Sequence, residues 1–199
     1  MVGVKDPRVL GALEAGQVIA LPGVGGYQLA ARHGGAGVTA LVTLADDRDR
    51  LVVPYFAVGR MSQAESLSTD WSPKIRRLAV RFWPGPLIVI VGDGDASVRI
   101  TMPKSRSVRS LCGRDGPLVM VAAHDTSGAT LEDPDAVAST FAPSEVALIV
   151  DGGEVRGPGP SILDARETPP SVFEEGVLPA AYIEAALIMA SRRKWLSRS

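Results

Sequence analysis

The chain has 199 residues, of which 46% are hydrophobic and 22% are charged, and its formal net charge is −1. This length and composition predict one compact domain over residues 1–199 and exclude an intrinsically disordered chain. One cysteine and two histidines exclude a disulfide framework, and they predict no metal site. No apolar run reaches the roughly 18 residues of a membrane-spanning helix, and the first residues include several charges. We therefore expect no membrane association and a cytoplasmic protein.

The regular elements are predicted from short apolar runs that Gly and Pro separate, a pattern typical of an α/β chain. Many β-branched residues and short lengths favour strands, and continuous apolar runs favour a sheet covered on both faces. In chain order we predict helix Pro7–Ala15, strands Val18–Leu21, Thr39–Leu44 and Leu51–Tyr55, helix Pro73–Trp83, strands Leu87–Val91, Val98–Thr101 and Leu118–Ala122, helix Pro134–Phe141, strands Val146–Val150, Ser161–Leu163 and Val172–Glu174, and a basic C-terminal helix over about residues 180–196.

The helix that begins at Pro73 has the clearest boundary signals. Ser72 stands at the N-cap position, Pro73 suits the first helical position, and Pro84 ends the helix. The basic residues of the C-terminal helix suit the negative end of its dipole, although they would also suit an anionic partner.

The near-zero net charge hides a strongly basic segment. Residues 73–114 carry nine Lys and Arg side chains and two Asp, a net charge of +7, and the rest of the chain carries −8. Such a local field attracts phosphate even when the whole protein is nearly neutral. Arginines that merely solvate one face would give the same count. If the segment binds RNA or phosphate, the candidate residues are Lys74, Arg77, Arg81, Lys104, Arg106 and Arg109.

Seven short motifs occur along the chain in a recognisable order. They are VIALPGVGGYQLAA at residues 18–31, RFWPGPLIVIV at 81–91, VRITMP at 98–103, GPLVMVAAHDTSG at 116–128, VDGG at 150–153, GPGPSILDA at 157–165 and SVFEEGVL at 171–178. In order and spacing they resemble the YrdC family, the threonylcarbamoyl-AMP synthases, over about residues 9–180. The most specific segment is FWPGPL at residues 82–87.

The resemblance implies a fold and an activity. The fold would be a single α/β domain with a twisted, mixed or mostly antiparallel sheet, flanking helices and a concave basic surface. Family members combine threonine, bicarbonate and ATP into threonylcarbamoyl-AMP for tRNA modification, and they are also described as binding double-stranded RNA. If this activity is retained, ATP and Mg²⁺ would be required, and tRNA or double-stranded RNA would be the partner.

This chain departs from the family pattern at most of the chemical positions. The family's P-T-E-T-V-Y-G is here PGVGGYQ at residues 22–28, which keeps Pro22 and Tyr27 but loses both hydroxyls and the acid. The arginine of V-R-x-P falls on Thr101, with Arg99 two residues earlier on the same strand face. The arginine of L-R-x-G is replaced by Glu174, an acid that would repel phosphate.

The remaining residues offer a few pocket candidates, each with a structural alternative. The glycine-rich stretch after the first strand suits a tight turn as well as a phosphate cradle, and His124 suits a structural role better than a general base. Cys112, near a helix end, is expected to be an apolar core residue. The candidate residues for a substrate or nucleotide pocket are Gly23, Gly25, Tyr27, Arg99, Thr101, His124, Ser127 and Ser161.

Three functions are compatible with these observations. The first is a degenerate relative of the synthases that binds RNA or a nucleotide on a concave basic face. The second is an active threonylcarbamoyl-AMP synthase in which Arg48, Arg50, Arg99 and Ser127 replace the usual ligands. The third is a non-catalytic interaction module or homodimer, whose pocket the apolar residues Val24, Ile88 and Val121 have filled.

Overall fold

The computed structural model describes residues 1–46, 53–92 and 97–192. Seven helices and nine strands lie in these ranges. In chain order they are α1 (Pro7–Glu14), β1 (Ile19–Pro22), β2 (Tyr27–Arg32), α2 (Gly37–Asp46), β3 (Tyr55–Ala57), α3 (Met61–Leu67), α4 (Pro73–Phe82), β4 (Leu87–Val91), β5 (Val98–Thr101), α5 (Arg106–Asp115), β6 (Leu118–Ala122), α6 (Pro134–Thr140), β7 (Leu148–Ile149), β8 (Ser161–Asp164), β9 (Ser171–Glu174) and α7 (Ala180–Arg192).

The strands form one mixed sheet in the order β7-β1-β2-β6-β3-β5-β4-β8-β9. Pairs β1–β7, β3–β5 and β4–β8 are parallel, and the other five neighbouring pairs are antiparallel. The predicted α/β domain with a mixed, mostly antiparallel sheet and flanking helices is therefore confirmed.

Helices cover the sheet on both faces, and alternate residues of each strand point to opposite faces. We call one face the α4 face, because α4 and α7 pack there on Leu87, Val89 and Val91. Helices α2 and α6 pack on the same face over β1, β2 and β6. The opposite face is the α5 face, where α1 and α5 cover a cluster that includes Met120. Farther along the α5 face, Ile88, Ile90 and Ile162 form a small apolar cluster with Tyr55.

Helix α4 forms as its sequence predicts. The Ser72 side chain accepts a hydrogen bond from the Ile75 N–H at 3.2 Å, and Pro73 occupies the first turn. These two features stabilise the N-terminus of the helix because its first N–H groups have no partner within the helix. The apolar stripe of α4 is buried against the sheet, while the basic residues of the helix remain on its outer side.

The prediction of a strand at Thr39–Leu44 is wrong, because these residues lie in α2. Leu41 and Ala45 are buried, whereas Thr39 and Ala40 are exposed, which is the i, i+4 spacing of a helix. A short apolar run does not distinguish a strand from a helix by itself. The sequence signals do not predict helix α3 or strand β2, and they indicate α5 only through the placement of Cys112 near a helix end.

Other boundaries shift by a few residues. The strand predicted at Leu51–Tyr55 begins only at Tyr55 in the described residues, and positions 51–52 lie outside them. The strand predicted at Val146–Val150 is reduced to Leu148–Ile149. The C-terminal helix is described to Arg192, so its predicted continuation to about residue 196 lies outside the described ranges.

Ile183 is predicted to anchor α7 to the α4 face. Its side chain is fully buried, whereas Ile188 on the same helix is 56% exposed. Ile183→Ala should lower the free energy of unfolding by about 2–5 kcal/mol, and Ile188→Ala should change it by no more than about 0.5 kcal/mol. Urea unfolding followed by circular dichroism measures both values, and equal losses in the two variants would contradict this packing.

Candidate functional site

The motif residues gather at one end of the α5 face, around a cavity of about 100 Å³. The turn that follows β1, residues 22–24, forms one wall, and the start of α5 forms another. Ile88 and Met120 contribute apolar surface. Three of the predicted site residues line this cavity, namely Gly23, Thr101 and Lys104.

The glycine-rich turn is shaped by contacts with other protein segments. Gly25 and Gly26 have φ values of +75° and +144°, which residues other than glycine rarely adopt. A Cβ on Gly25 would lie 2.8 Å from the Gly159 nitrogen, and one on Gly26 would collide with the Thr130 side chain. The Gly23 N–H donates to the Gly26 carbonyl at 2.9 Å. These contacts favour the tight-turn interpretation of the stretch.

Tyr27 joins two of the motifs. Its hydroxyl donates to the Gly153 carbonyl at 3.1 Å and accepts from the Gly152 N–H at 3.0 Å. The ring is fully buried, and burial raises the pKa of the hydroxyl. The residue retained from the family pattern therefore holds the VDGG loop against the turn that follows β1.

Ser161, one of the predicted pocket residues, is not part of the cavity lining. Its side chain is fully buried, and its hydroxyl donates to the Leu178 carbonyl at 2.7 Å. The same oxygen accepts from the N–H groups of Gly176 and Leu178, both at 2.9 Å. Since the hydroxyl makes three hydrogen bonds to one turn, its role is to fix the turn between β9 and α7.

The Thr101 hydroxyl is also engaged by the main chain, although Thr101 lines the cavity. It donates to the Leu87 carbonyl at 2.8 Å, and the Trp83 indole N–H donates to the same carbonyl at 2.7 Å. A hydroxyl can still accept a hydrogen bond, but its one proton is already used. Thr101 therefore offers the cavity an acceptor only.

Arg99 lies in a separate recess of about 190 Å³, near the far end of the same face. Arg166, which was not among the candidates, lines this recess too. Arg166 donates to both Asp164 carboxylate oxygens, with its shortest contact at 2.6 Å, and so holds the pKa of Asp164 below its usual range. Burial and the nearby Arg166 lower the pKa of Arg99. No carboxylate of the described residues lies within ion-pair distance of Arg99.

The guanidinium of Arg99 also lies over the Phe173 ring, 5.5 Å from its centroid. The face of an aromatic ring stabilises a cation such as the Arg99 guanidinium without neutralising its charge. The recess therefore presents two guanidinium groups, of which only Arg166 is paired with an acid among the residues described.

Ser127 and His124 lie in a loop away from the cavity lining. The Ser127 hydroxyl and N–H donate to Asp125 at 2.7 and 2.8 Å, and the Ala129 N–H donates to the same oxygen at 2.9 Å. These bonds lower the pKa of Asp125. His124 pairs with Thr130 in an isolated β-bridge. Arg48 and Arg50, the other predicted substitute ligands, lie outside the described residues.

The six predicted phosphate-binding residues do not form a single surface. Lys74, Arg77 and Arg81 belong to α4 on one face of the sheet, whereas Lys104, Arg106 and Arg109 lie at the start of α5 on the other. The Arg109 guanidinium donates to the Pro103 and Lys104 carbonyls at 2.8 and 2.6 Å, so it supports the loop before α5. Of the second trio, Lys104 and Arg106 are exposed.

Within the described part of the chain, no helix is long and apolar enough to cross a membrane. No cluster of three or more His, Cys, Asp or Glu side chains in these ranges is arranged to hold a metal ion.

The arrangement can be compared with known proteins. Residues 11–176 match the Sua5/YciO/YrdC family, which carries the description "Telomere recombination". This chain belongs to that family. It is 24% identical over 189 residues to the threonylcarbamoyl-AMP synthase of Pyrococcus abyssi, covering 89% of the chain and 55% of the relative. The chain thus spans about half the length of that curated relative.

Solved structures of family members share the fold. A Sua5 variant (H234A/Y235A) from P. abyssi has a TM-score of 0.78 at 23% identity, with 92% of this chain and 62% of that one covered. P. abyssi Sua5 complexed with L-threonine also has a TM-score of 0.78, at 24% identity, with 90% and 56% covered. YciO from Escherichia coli has a TM-score of 0.74 at 18% identity, with 88% and 91% covered. At these identities the likeness establishes the fold.

The cavity beside Thr101, as the described residues line it, is too small to enclose ATP. Pockets that enclose small molecules have volumes of about 300–1,000 Å³, several times that of the cavity beside Thr101. The Ser161 hydroxyl is turned away from that cavity, and the Thr101 hydroxyl is bound to the main chain.

The structural role of Ser161 predicts a loss of stability on substitution. Ser161→Ala removes the hydroxyl partner of two partly buried N–H groups and one carbonyl, which should lower the free energy of unfolding by about 1–3 kcal/mol. Ser127→Ala, at an exposed hydroxyl, should change it by no more than about 0.5 kcal/mol. Chemical denaturation of both variants makes the comparison. An unchanged Ser161→Ala midpoint would show that the hydroxyl does not fix the turn.

Proposed function

We propose that this chain is a degenerate member of the YrdC family that binds a phosphate-bearing ligand on its α5 face without synthesising threonylcarbamoyl-AMP. The observation that carries the proposal is the Arg99 recess. A half-buried guanidinium stands beside a second one there, with no acid paired to it among the described residues. Asp164, which pairs with Arg166, and Glu174 offset part of this positive charge. The guanidinium that remains to bind a phosphoryl oxygen is that of Arg99, which can make charge-assisted hydrogen bonds in a fixed fork.

The loss of the family reaction is supported by the cavity. ATP brings several negative charges, so adenylation needs cations or N–H donors around its phosphates. The cavity is mostly apolar, and Lys104 is the one basic residue along its described lining. A recess of about 190 Å³ at Arg99 suits a single phosphate group better than a chain of three.

The phosphate has two possible sources, a mononucleotide and the backbone of an RNA. The exposed positions of Lys104 and Arg106 support RNA as a candidate beside the mononucleotide, because RNA helices are recognised through phosphate contacts over an extended surface. The cytoplasmic location and the homodimer remain predictions from the sequence.

The proposal predicts that the chain lacks the synthase activity of its family. Pyrophosphate release by the full chain in the presence of ATP, threonine, bicarbonate and Mg²⁺ should not exceed release in a reaction without threonine. Release that depends on both threonine and bicarbonate would overturn the proposal. It would favour the alternative of an active L-threonylcarbamoyladenylate synthase with substitute ligands.

The proposal also predicts that binding of the phosphate ligand depends on Arg99. Arg99→Gln should weaken binding of AMP or duplex RNA at least about tenfold, because a charge-assisted hydrogen bond contributes about 1.5–3 kcal/mol. Arg60→Gln, at an exposed arginine beside α3, serves as the matched control and should leave affinity unchanged.

Calorimetry with AMP and a salt titration with duplex RNA distinguish the two sources. Binding to RNA should weaken linearly on a logarithmic salt scale, with a slope set by the number of phosphates contacted. If neither ligand binds, or if both variants bind as the parent chain does, the Arg99 recess is not a phosphate site.

A further inference from the structure

A groove of about 690 Å³ runs between α4 and α7 on the face of the sheet away from the cavity. Leu78, Val80, Ala186 and Met189 contribute its apolar surface. Val80 is 60% exposed and Met189 is 58% exposed. Large apolar side chains that remain exposed together are typical of surfaces that meet another molecule.

The basic side chains of α4 border this groove. Arg76, Arg77 and Arg81 belong to its lining, and no acidic residue does so in the described part of the chain. The Arg76 side chain is directed to Glu65, 2.6 Å away on α3. Arg77 and Arg81 lie one helical turn apart, so their charges face the same side.

Contacts between the two helices fix the shape of the groove. The Arg77 guanidinium donates to the Ala190 carbonyl at 2.9 Å, which ties the middle of α4 to the last turns of α7. The Arg81 guanidinium lies 5.8 Å from the centroid of the Tyr182 ring, near the start of α7. Phe82 packs edge-on against the same ring. A surface held in this way loses little conformational freedom when it binds.

We propose that the groove is a docking site for an amphipathic helix of another protein, one that carries acidic residues beside its apolar stripe. The apolar side chains of that helix would contact Val80 and Met189, and its carboxylates would pair with Arg77 and Arg81. Helix α4 has ten residues and is about 15 Å long, which matches about three turns of a partner helix. Helices that lay an apolar face into a groove are a common mode of recognition.

Two other occupants agree less well with the observations. A second copy of this chain in a symmetric dimer would bring the α4 arginines of both copies together, and like charges oppose such a contact. RNA would use the arginines but leave Val80, Met189 and the exposed Ile188 without apolar partners, whereas nucleic-acid interfaces are strongly polar.

The test uses the full chain and three labelled probes. One is a designed peptide of about 15 residues with Leu at helical spacing and Glu beside it. The second replaces every Glu of that peptide with Lys, and the third is an RNA duplex of about 16 base pairs. Fluorescence anisotropy should show binding of the acidic peptide and a much weaker response to the basic one.

Substitutions locate the binding to the groove. Arg81→Glu and Met189→Asp should each weaken binding of the acidic peptide at least about tenfold. Arg114→Glu on the opposite face and Val177→Asp at an exposed valine outside the groove lining are the matched controls, and neither should change affinity beyond about twofold. Circular dichroism establishes that each variant is folded.

Several outcomes would overturn the proposal. These are equal binding of both peptides, no binding of either, and an equal effect of Arg81→Glu and Arg114→Glu. Binding of the RNA duplex that is lost with Arg81→Glu, in the absence of peptide binding, would identify the groove as a nucleic-acid surface. Self-association in sedimentation that Met189→Asp abolishes would identify it as a contact between copies.

Discussion

The carbonyl of Leu87 is the point on which the arrangement of the domain depends. It accepts hydrogen bonds from the Trp83 indole at the end of α4 and from the Thr101 hydroxyl on β5. One buried acceptor therefore joins a helix and two neighbouring strands at the first residue of β4. With the start of β4 fixed, Leu87, Val89 and Val91 face α4, and Ile88 and Ile90 face the opposite side.

Two residues of the motifs also hold main-chain groups in place through their hydroxyls. Tyr27 joins the turn after β1 to the VDGG loop, and the Ser161 hydroxyl fixes the turn before α7. Both side chains form hydrogen bonds that are partly buried, and leaving the main-chain partners unpaired costs free energy. Tyr27 and Ser161 therefore have structural roles that do not depend on a bound ligand.

Much of the fold follows from local signals in the sequence. Ser72 and Pro73 predict the start of α4, and continuous apolar runs predict β4 and β6. The run at residues 39–44 fails as a signal because a short apolar stretch fits a helix and a strand equally well. The site is less predictable. Arg166 meets Arg99 only because β8 pairs with β4 in parallel, and no local pattern in the sequence contains that pairing.

The alternation of β4 limits how this protein can change over time. Each strand residue faces the side opposite to its neighbours, so a one-residue insertion or deletion within β4 would exchange the two sides along the rest of the strand. Val89 and Val91, which contact α4, would then face the opposite side of the sheet, and Ile88 and Ile90 would point toward α4. A change of length should therefore be tolerated better in the loops that join the elements than within β4.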